Sequence, residues 1–431
     1  MIVRKTRGDE EVRFCLAPRN GSSGSRWRIA ACLLVTLVAW SLWLCGGQGG
    51  RVAATTPDRA TPGQGAKRKA PSFEEIARRA AKAREGGRVD EAIALYQRGV
   101  QQRPTWAEGW WYLGTLFYEG DHYAEAREAF GHLVSIQPQG GAAWALLGLC
   151  EFQLRDYERA LRDLQLGRSL GLGGNKELTR VTRYHAALLL TRFEQFEAAL
   201  QLLFAMVRQE GDNPVLREAL GVATLSLPLL PSEVPADEQE VVRKAGKAAY
   251  YEAIWLTADA RREYEDLVAR FPNTPNAHYS LGAFLLRSDV EAAIKEFHRE
   301  IEVSPSHVRA RLQIAFNDLK RGESAAGLPY AEKAAQLAPG SFAAHNALGR
   351  ILLELGQTDR ALKELEEAVR LAPDSPESRY ALARAYTRVG RKQDADRERA
   401  EFVRLKKLQQ ELIHPHVKGT AEPQPDERPP I

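Results

Sequence analysis

Between residues 107 and 140 apolar side chains fall on two short helical faces separated by a polar turn. Trp110, Leu113, Gly114 and Phe117 stand at i, i+3, i+4 and i+7, one face of a first helix. Ala126, Phe130 and Leu133, at i, i+4 and i+7, make the matching face of a second. Gly120 and Asp121 punctuate the turn, and Pro138 closes the second helix because it donates no backbone hydrogen bond. Gly114 and Ala126 are small enough to let two antiparallel helices approach closely.

The same hairpin recurs along the chain. Pro104 and Pro138 are 34 residues apart, and Pro272, Pro305, Pro339 and Pro373 follow one another at 33, 34 and 34. A charged entry unit over 73–106 precedes the best copy, and 141–174 repeats it with Trp144, Leu147-Gly148, Ala160 and Leu164. After a Gly-rich step a degenerate unit runs near 180–213, and 214–227 begins another. Pro228, Pro231 and Pro235 then forbid a continuous helix, so 228–240 reads as an insertion between a first lobe, 73–227, and a second, 241–413. Leu227, Leu229 and Leu230 among these prolines are expected to fold into a groove, to bridge the lobes, or to form a plain surface loop. Near-consensus spacing returns at 342–375, with His345 where an aromatic usually stands, and a charged terminal helix covers the last apolar face.

This order of Trp, Leu-Gly, aromatic, Ala, Phe and Pro at a period of 34 resembles the tetratricopeptide repeat. The resemblance implies an all-α solenoid, a right-handed superhelix of about nine helix-turn-helix repeats whose first helices line a groove for a peptide or partner protein. Carried over by position, it implies groove-facing aromatics at Trp111, Tyr118, Phe152 and Tyr184. In the second lobe the corresponding places hold Arg309, Lys320, Asn346, Arg350, Arg384 and Arg388. That cationic series resembles the clamps by which some family members grip a carboxylate, an anion that arginine meets with paired hydrogen bonds.

Charge is uneven along the chain. The formal net charge is +4, yet residues 1–54 hold 8 basic against 3 acidic side chains, leaving 52 and 53 downstream. The repeat region is therefore neutral, and the basic footprint of a nucleic-acid binder is missing from it. Residues 29–45 carry no charge over 17 positions, the lower edge of a membrane-spanning helix, with Trp40 and Trp43 near one end. Seven basic residues precede it in an arm, 1–28, and the excess would hold that arm in the cytoplasm. The expectation is a single-pass protein of a bacterial inner membrane whose repeats lie in the periplasm beyond a flexible linker, 46–72. Val52-Ala53-Ala54 keeps open the alternative of a cleaved signal and a periplasmic or secreted product.

Candidate chemistry changes little. The histidines lack the HExxH spacing of a zinc helix, no two cysteines have metal-ligand spacing, and no GxxxxGK[ST] phosphate loop occurs. Cys150, among Leu147 and Leu149, reads as a buried structural thiol. No cofactor, metal, small-molecule substrate or catalytic residue is expected. The expected function is a non-enzymatic, membrane-tethered interaction scaffold, with an assembly factor or a substrate-selecting subunit of an enzyme complex as alternatives. The tail, 414–431, is Pro-rich and expected to be disordered.

Overall fold

The computed structural model describes residues 71–413, so the basic arm, the apolar run, nearly all of the linker and the tail lie outside the described residues. Within them the chain is all-α, with no strand. The helices are Phe73–Glu85 (α1), Val89–Gln102 (α2), Ala107–Glu119 (α3), Tyr123–Ile136 (α4), Gly141–Gln153 (α5), Tyr157–Leu170 (α6), Lys176–Arg192 (α7), Phe196–Glu210 (α8), Pro214–Thr224 (α9), Gln239–Ala253 (α10), Thr257–Arg270 (α11), Ala277–Leu285 (α12), Val290–Val303 (α13), Val308–Arg321 (α14), Ser324–Leu337 (α15), Phe342–Glu354 (α16), Thr358–Leu371 (α17), Pro376–Arg388 (α18) and Lys392–Ile413 (α19). They separate into two compact units, one of residues 71–179 and one of 180–413. The sequence places its division instead at the proline insertion, 228–240. Among the described residues no helix is long and apolar enough to cross a membrane.

Four of the hairpins close by fitting a large side chain of the second helix over a glycine of the first. A Cβ on Gly114 would stand 2.7 Å from the Phe130 ring, so the glycine is the seat of that ring. Gly148 seats Leu164, Gly282 seats Phe297 and Gly349 seats Leu365 in the same way. A second device pins the start of five first helices to the preceding proline. Trp110 Nε1 donates to the Pro104 carbonyl at 2.7 Å and Trp144 Nε1 to that of Pro138 at 2.8 Å. His278 Nε2 meets Pro272 O at 3.1 Å, His345 Nε2 meets Pro339 O at 3.0 Å, and Arg379 Nε donates to Pro373 O at 3.0 Å. This explains why histidine serves at 345: the place requires an N–H, which both rings supply.

The proline insertion is ordered and belongs to the second unit. Asn213 caps α9 by accepting from Val215 N, and Pro214 opens the helix where its missing N–H costs nothing. A short 3-10 turn, Pro231–Glu233, then leads towards α10. The Glu233 carboxylate accepts from Leu230 N at 2.9 Å and pairs with Arg192 at 2.5 Å. Leu230 and Val234 are buried, and Leu227 and Leu229 pack against the core that Val234 joins. Leu227 and Leu229 thus join side chains on either side of the insertion, Val222 and Leu225 before it and Val241 and Val242 after it, instead of forming a bare loop. These two helices cross backbone to backbone, Gly221 under the Val242 carbonyl and Gly246 under the Arg217 carbonyl. α10 then pairs again with α11, so α9 is a single helix inserted into a series of hairpins.

Candidate functional site: the first-helix face of α14, α16 and α18

In the second unit α14 touches α16 and α16 touches α18, which puts the first helices of three hairpins side by side. Their shared face carries most of the cationic series. Ser341 caps α16 through Ala344 N and Ser375 caps α18 through Ser378 N, fixing where each helix begins and therefore which residues share a level.

Arg350 is the centre of this face. Its guanidinium lies over the Phe316 ring of α14 at 5.8 Å, and among the described residues no carboxylate comes within 4.0 Å of it. Burial, and then the charge of Arg384, hold its pKa below the ordinary arginine value. One turn earlier, Asn346 is 5% exposed and its Oδ1 has no hydrogen-bond partner. Glu354 and Glu377 act on the Arg350 guanidinium only at longer range, so a half-buried cation without a direct ion pair is left that a ligand's carboxylate would complete.

The other arginines have partners within the chain. Arg384 Nη2 donates to Glu354 Oε1 at 2.8 Å, Arg388 stands 3.7 Å from Glu354 Oε2, and Arg388 also bonds to the Leu353 carbonyl. Glu354 borders an open hollow of about 530 Å³ with Leu319, Glu323 and Leu355 at the turn end of these helices. Arg309 reaches across 112 residues to Glu197 at 2.7 Å and bonds to the Ser226 hydroxyl. Its guanidinium lies 4.7 Å from the Tyr279 ring centre and 5.3 Å from that of Phe196. Lys320 is exposed at the end of α14.

The aromatic series divides between the two units. Trp111 is half-buried with its edge against Phe130, Tyr118 is half-buried against Tyr123, and Phe152, 4% exposed, is a core residue beside Tyr157. Those three belong to the first unit, whereas Tyr184, on α7 beside His185, falls in the second. Phe316 and Glu354 are the members of the α14–α18 face that position-by-position reading passed over. Their signal is weak, an aromatic and a carboxylate on helices that hold many of both.

The first unit buries chemistry of another kind. Glu151 on α5 and Asp163 on α6 are both buried, and Glu151 Oε2 has no partner. Burial, and then the charge of Asp163, push the Glu151 carboxyl up to about 8, and burial raises Asp163 as well. Burial also raises the Cys150 thiol far above its usual range, which keeps it protonated and inert. Among the described residues no group of three or more potential metal ligands occurs.

Two family models described as tetratricopeptide repeat match the chain, one over residues 78–131, 112–167 and 257–307, the other over 318–385 and 352–398. The general transcriptional corepressor trfA of Dictyostelium discoideum is 28% identical over 74 residues, which is 17% of this chain and 5% of that protein. Among solved structures, MamA from Desulfovibrio magneticus RS-1 is 22% identical, with 38% of this chain and 97% of that one covered and a TM-score of 0.34. Yeast Tom70 is 12% identical over 77% of this chain and 85% of that one, with a TM-score of 0.31.

Proposed function

We propose that this chain, a tetratricopeptide repeat protein, is a non-enzymatic scaffold that holds an acidic segment of a partner protein on the α14–α16–α18 face. The observation that carries this reading is Arg350, a half-buried guanidinium seated on Phe316 that no carboxylate pairs with directly. An incoming carboxylate would bond Arg350. Arg384 and Arg388, now shared around Glu354, would supply a positive surround. Losing one charge-assisted bond costs about 1.5–3 kcal/mol, a 10- to 100-fold weakening. The test is an acidic partner segment, identified by in-cell crosslinking to the intact protein, titrated against wild type and Arg350→Gln. Equal affinity of the two would remove the reading.

We further propose that the apolar run 29–45 tethers the repeats to a bacterial inner membrane, with the scaffold in the periplasm. The basic arm before the run and the neutral repeats after it support that orientation. The Val52-Ala53-Ala54 stretch supports a second reading, release by signal cleavage into the periplasm or beyond as an assembly factor. Protease added to spheroplasts, with the mass of the mature amino terminus, separates the two. Repeats shielded by the membrane would defeat both.

A further inference from the structure

Arg309 stands in the first turn of α14, where its guanidinium meets three other parts of the chain. Nη1 donates to Glu197 Oε1, in the first turn of α8, at 2.7 Å, and Nη2 bonds to the Ser226 hydroxyl just beyond α9. Two aromatic rings stand close to the same guanidinium, Tyr279 of α12 and Phe196 of α8. All of these belong to one compact unit. The hairpin itself does not demand an arginine there: four residues after the other repeat prolines stand Glu108, Ala142, Asn276, Ala343 and Glu377. Ser226 holds a left-handed φ of 51°, a conformation that a side chain enters only at a cost, and its hydroxyl completes the seat.

The carboxylate in this seat comes from the solvent side. The Glu197 side chain is 67% exposed, against 31% for that of Arg309. An ion pair so open is weak, because water competes for both partners. Ring and hydroxyl, by contrast, hold the arginine in place whichever acid it meets. Arg309 and Phe316, the residue on which Arg350 lies, are seven residues apart on α14. They therefore share a face, ~10 Å apart along the helix axis. An extended chain covers that distance in about three residues.

We propose that Arg309, Tyr279 and Ser226 form a second carboxylate site, which Glu197 occupies as an internal stand-in until an acidic side chain of the partner displaces it. The class of ligand rests on the reading of the α14–α16–α18 face as a seat for an acidic segment. Together the two arginines select an extended segment whose acidic side chains are about three residues apart. Displacement exchanges one ion pair for another, so Glu197 weakens binding by the worth of its own pair with Arg309.

A fluorescein-labelled octaglutamate peptide, titrated against the full chain at low ionic strength, tests this. Glu197→Ala removes the competitor and is expected to tighten binding about threefold to fivefold, the factor of one partly exposed ion pair. Glu218→Ala removes the same charge from an exposed place on α9 and is expected to leave the affinity unchanged. Arg309→Gln is expected to weaken binding, and Glu197→Ala added to it to bring no gain, since both substitutions act through one contact. If Arg309→Gln does not fold, the contrast between Glu197→Ala and Glu218→Ala decides. An Arg350→Gln chain that binds like wild type, with the Glu197→Ala gain intact, supports this site and counts against the Arg350 one. No gain from Glu197→Ala overturns the proposal, and does so without touching the Arg350 site where Arg350→Gln still weakens binding. An equal gain from Glu218→Ala, a gain that survives Arg309→Gln, or no octaglutamate binding by any of these chains overturns it as well.

Discussion

Gly246→Ala puts one methyl group where the backbones of α9 and α10 touch. The added carbon would stand 1.9 Å from the Arg217 carbonyl oxygen and 3.1 Å from Gly221 N, against the 3.4 Å at which ordinary contact begins. No rotamer change relieves a clash with backbone, so the two helices must part by more than an ångström. That opens the seam lined by Leu220, Val242, Ala245 and Ala249, all buried. Overpacking of this kind costs ~3 kcal/mol at its upper end. Alanine returns ~1 kcal/mol of helix propensity, leaving a net loss of ~2 kcal/mol. For a unit of this size that lowers Tm by ~4–8 °C. Gly131→Ala is the matched control, since a Cβ there meets nothing within 4 Å in the middle of α4, and it is expected to gain ~0.5–1 kcal/mol. Thermal and urea unfolding of both variants give the comparison. A Gly246→Ala protein that melts at or above wild type, or a Gly131→Ala protein that falls with it, refutes the close crossing.

In the first unit Glu151 titrates upward, to about 8, because burial and then Asp163 disfavour its charge. A carboxyl raised in the folded state leaves stability intact below its unfolded value and erodes it as pH climbs towards about 8. Glu151→Gln should therefore match wild type near pH 5 and exceed it in urea midpoint at pH 8.5; the reverse order would contradict the buried pair. At the turn between α5 and α6, Arg155 has a φ of 62°, where Gly87, Gly322, Gly356 and Gly390 serve in other hairpins. Arg155→Gly is expected to stabilise by ~1 kcal/mol, read as a rise in Tm of the intact protein, because glycine adopts that backbone without strain.

The same kind of turn raises a question at Trp255. It has a φ of 59°, is 72% exposed, and lies under the Arg208 guanidinium at 4.9 Å. Arg208 also bonds to the Ala253 carbonyl, so the contact ties the end of α8 to the end of α10. The indole thus adds a side-chain tie to the contact that α8 and α10 make at the single-helix junction created by α9.

Sequence by itself determined the helix type, the period and the hairpin unit, each a local matter of spacing. It marked Gly114 and Ala126 as the small residues of a close approach, but that the Phe130 ring is what sits on Gly114 was decided by the packing of the two helices. It also supplied the cationic series that includes Arg350. Tertiary structure alone decided which of those cations have partners, because Glu354 reaches Arg384 across 30 residues and Glu197 reaches Arg309 across 112. Pairing at such distances depends on how hairpins stack, and no pattern within one repeat records it. The same holds for the proline insertion: three prolines announce a break, but whether Leu230 and Val234 hang free or seal a helix pair is fixed by Gly221 and Gly246 drawing α9 and α10 together.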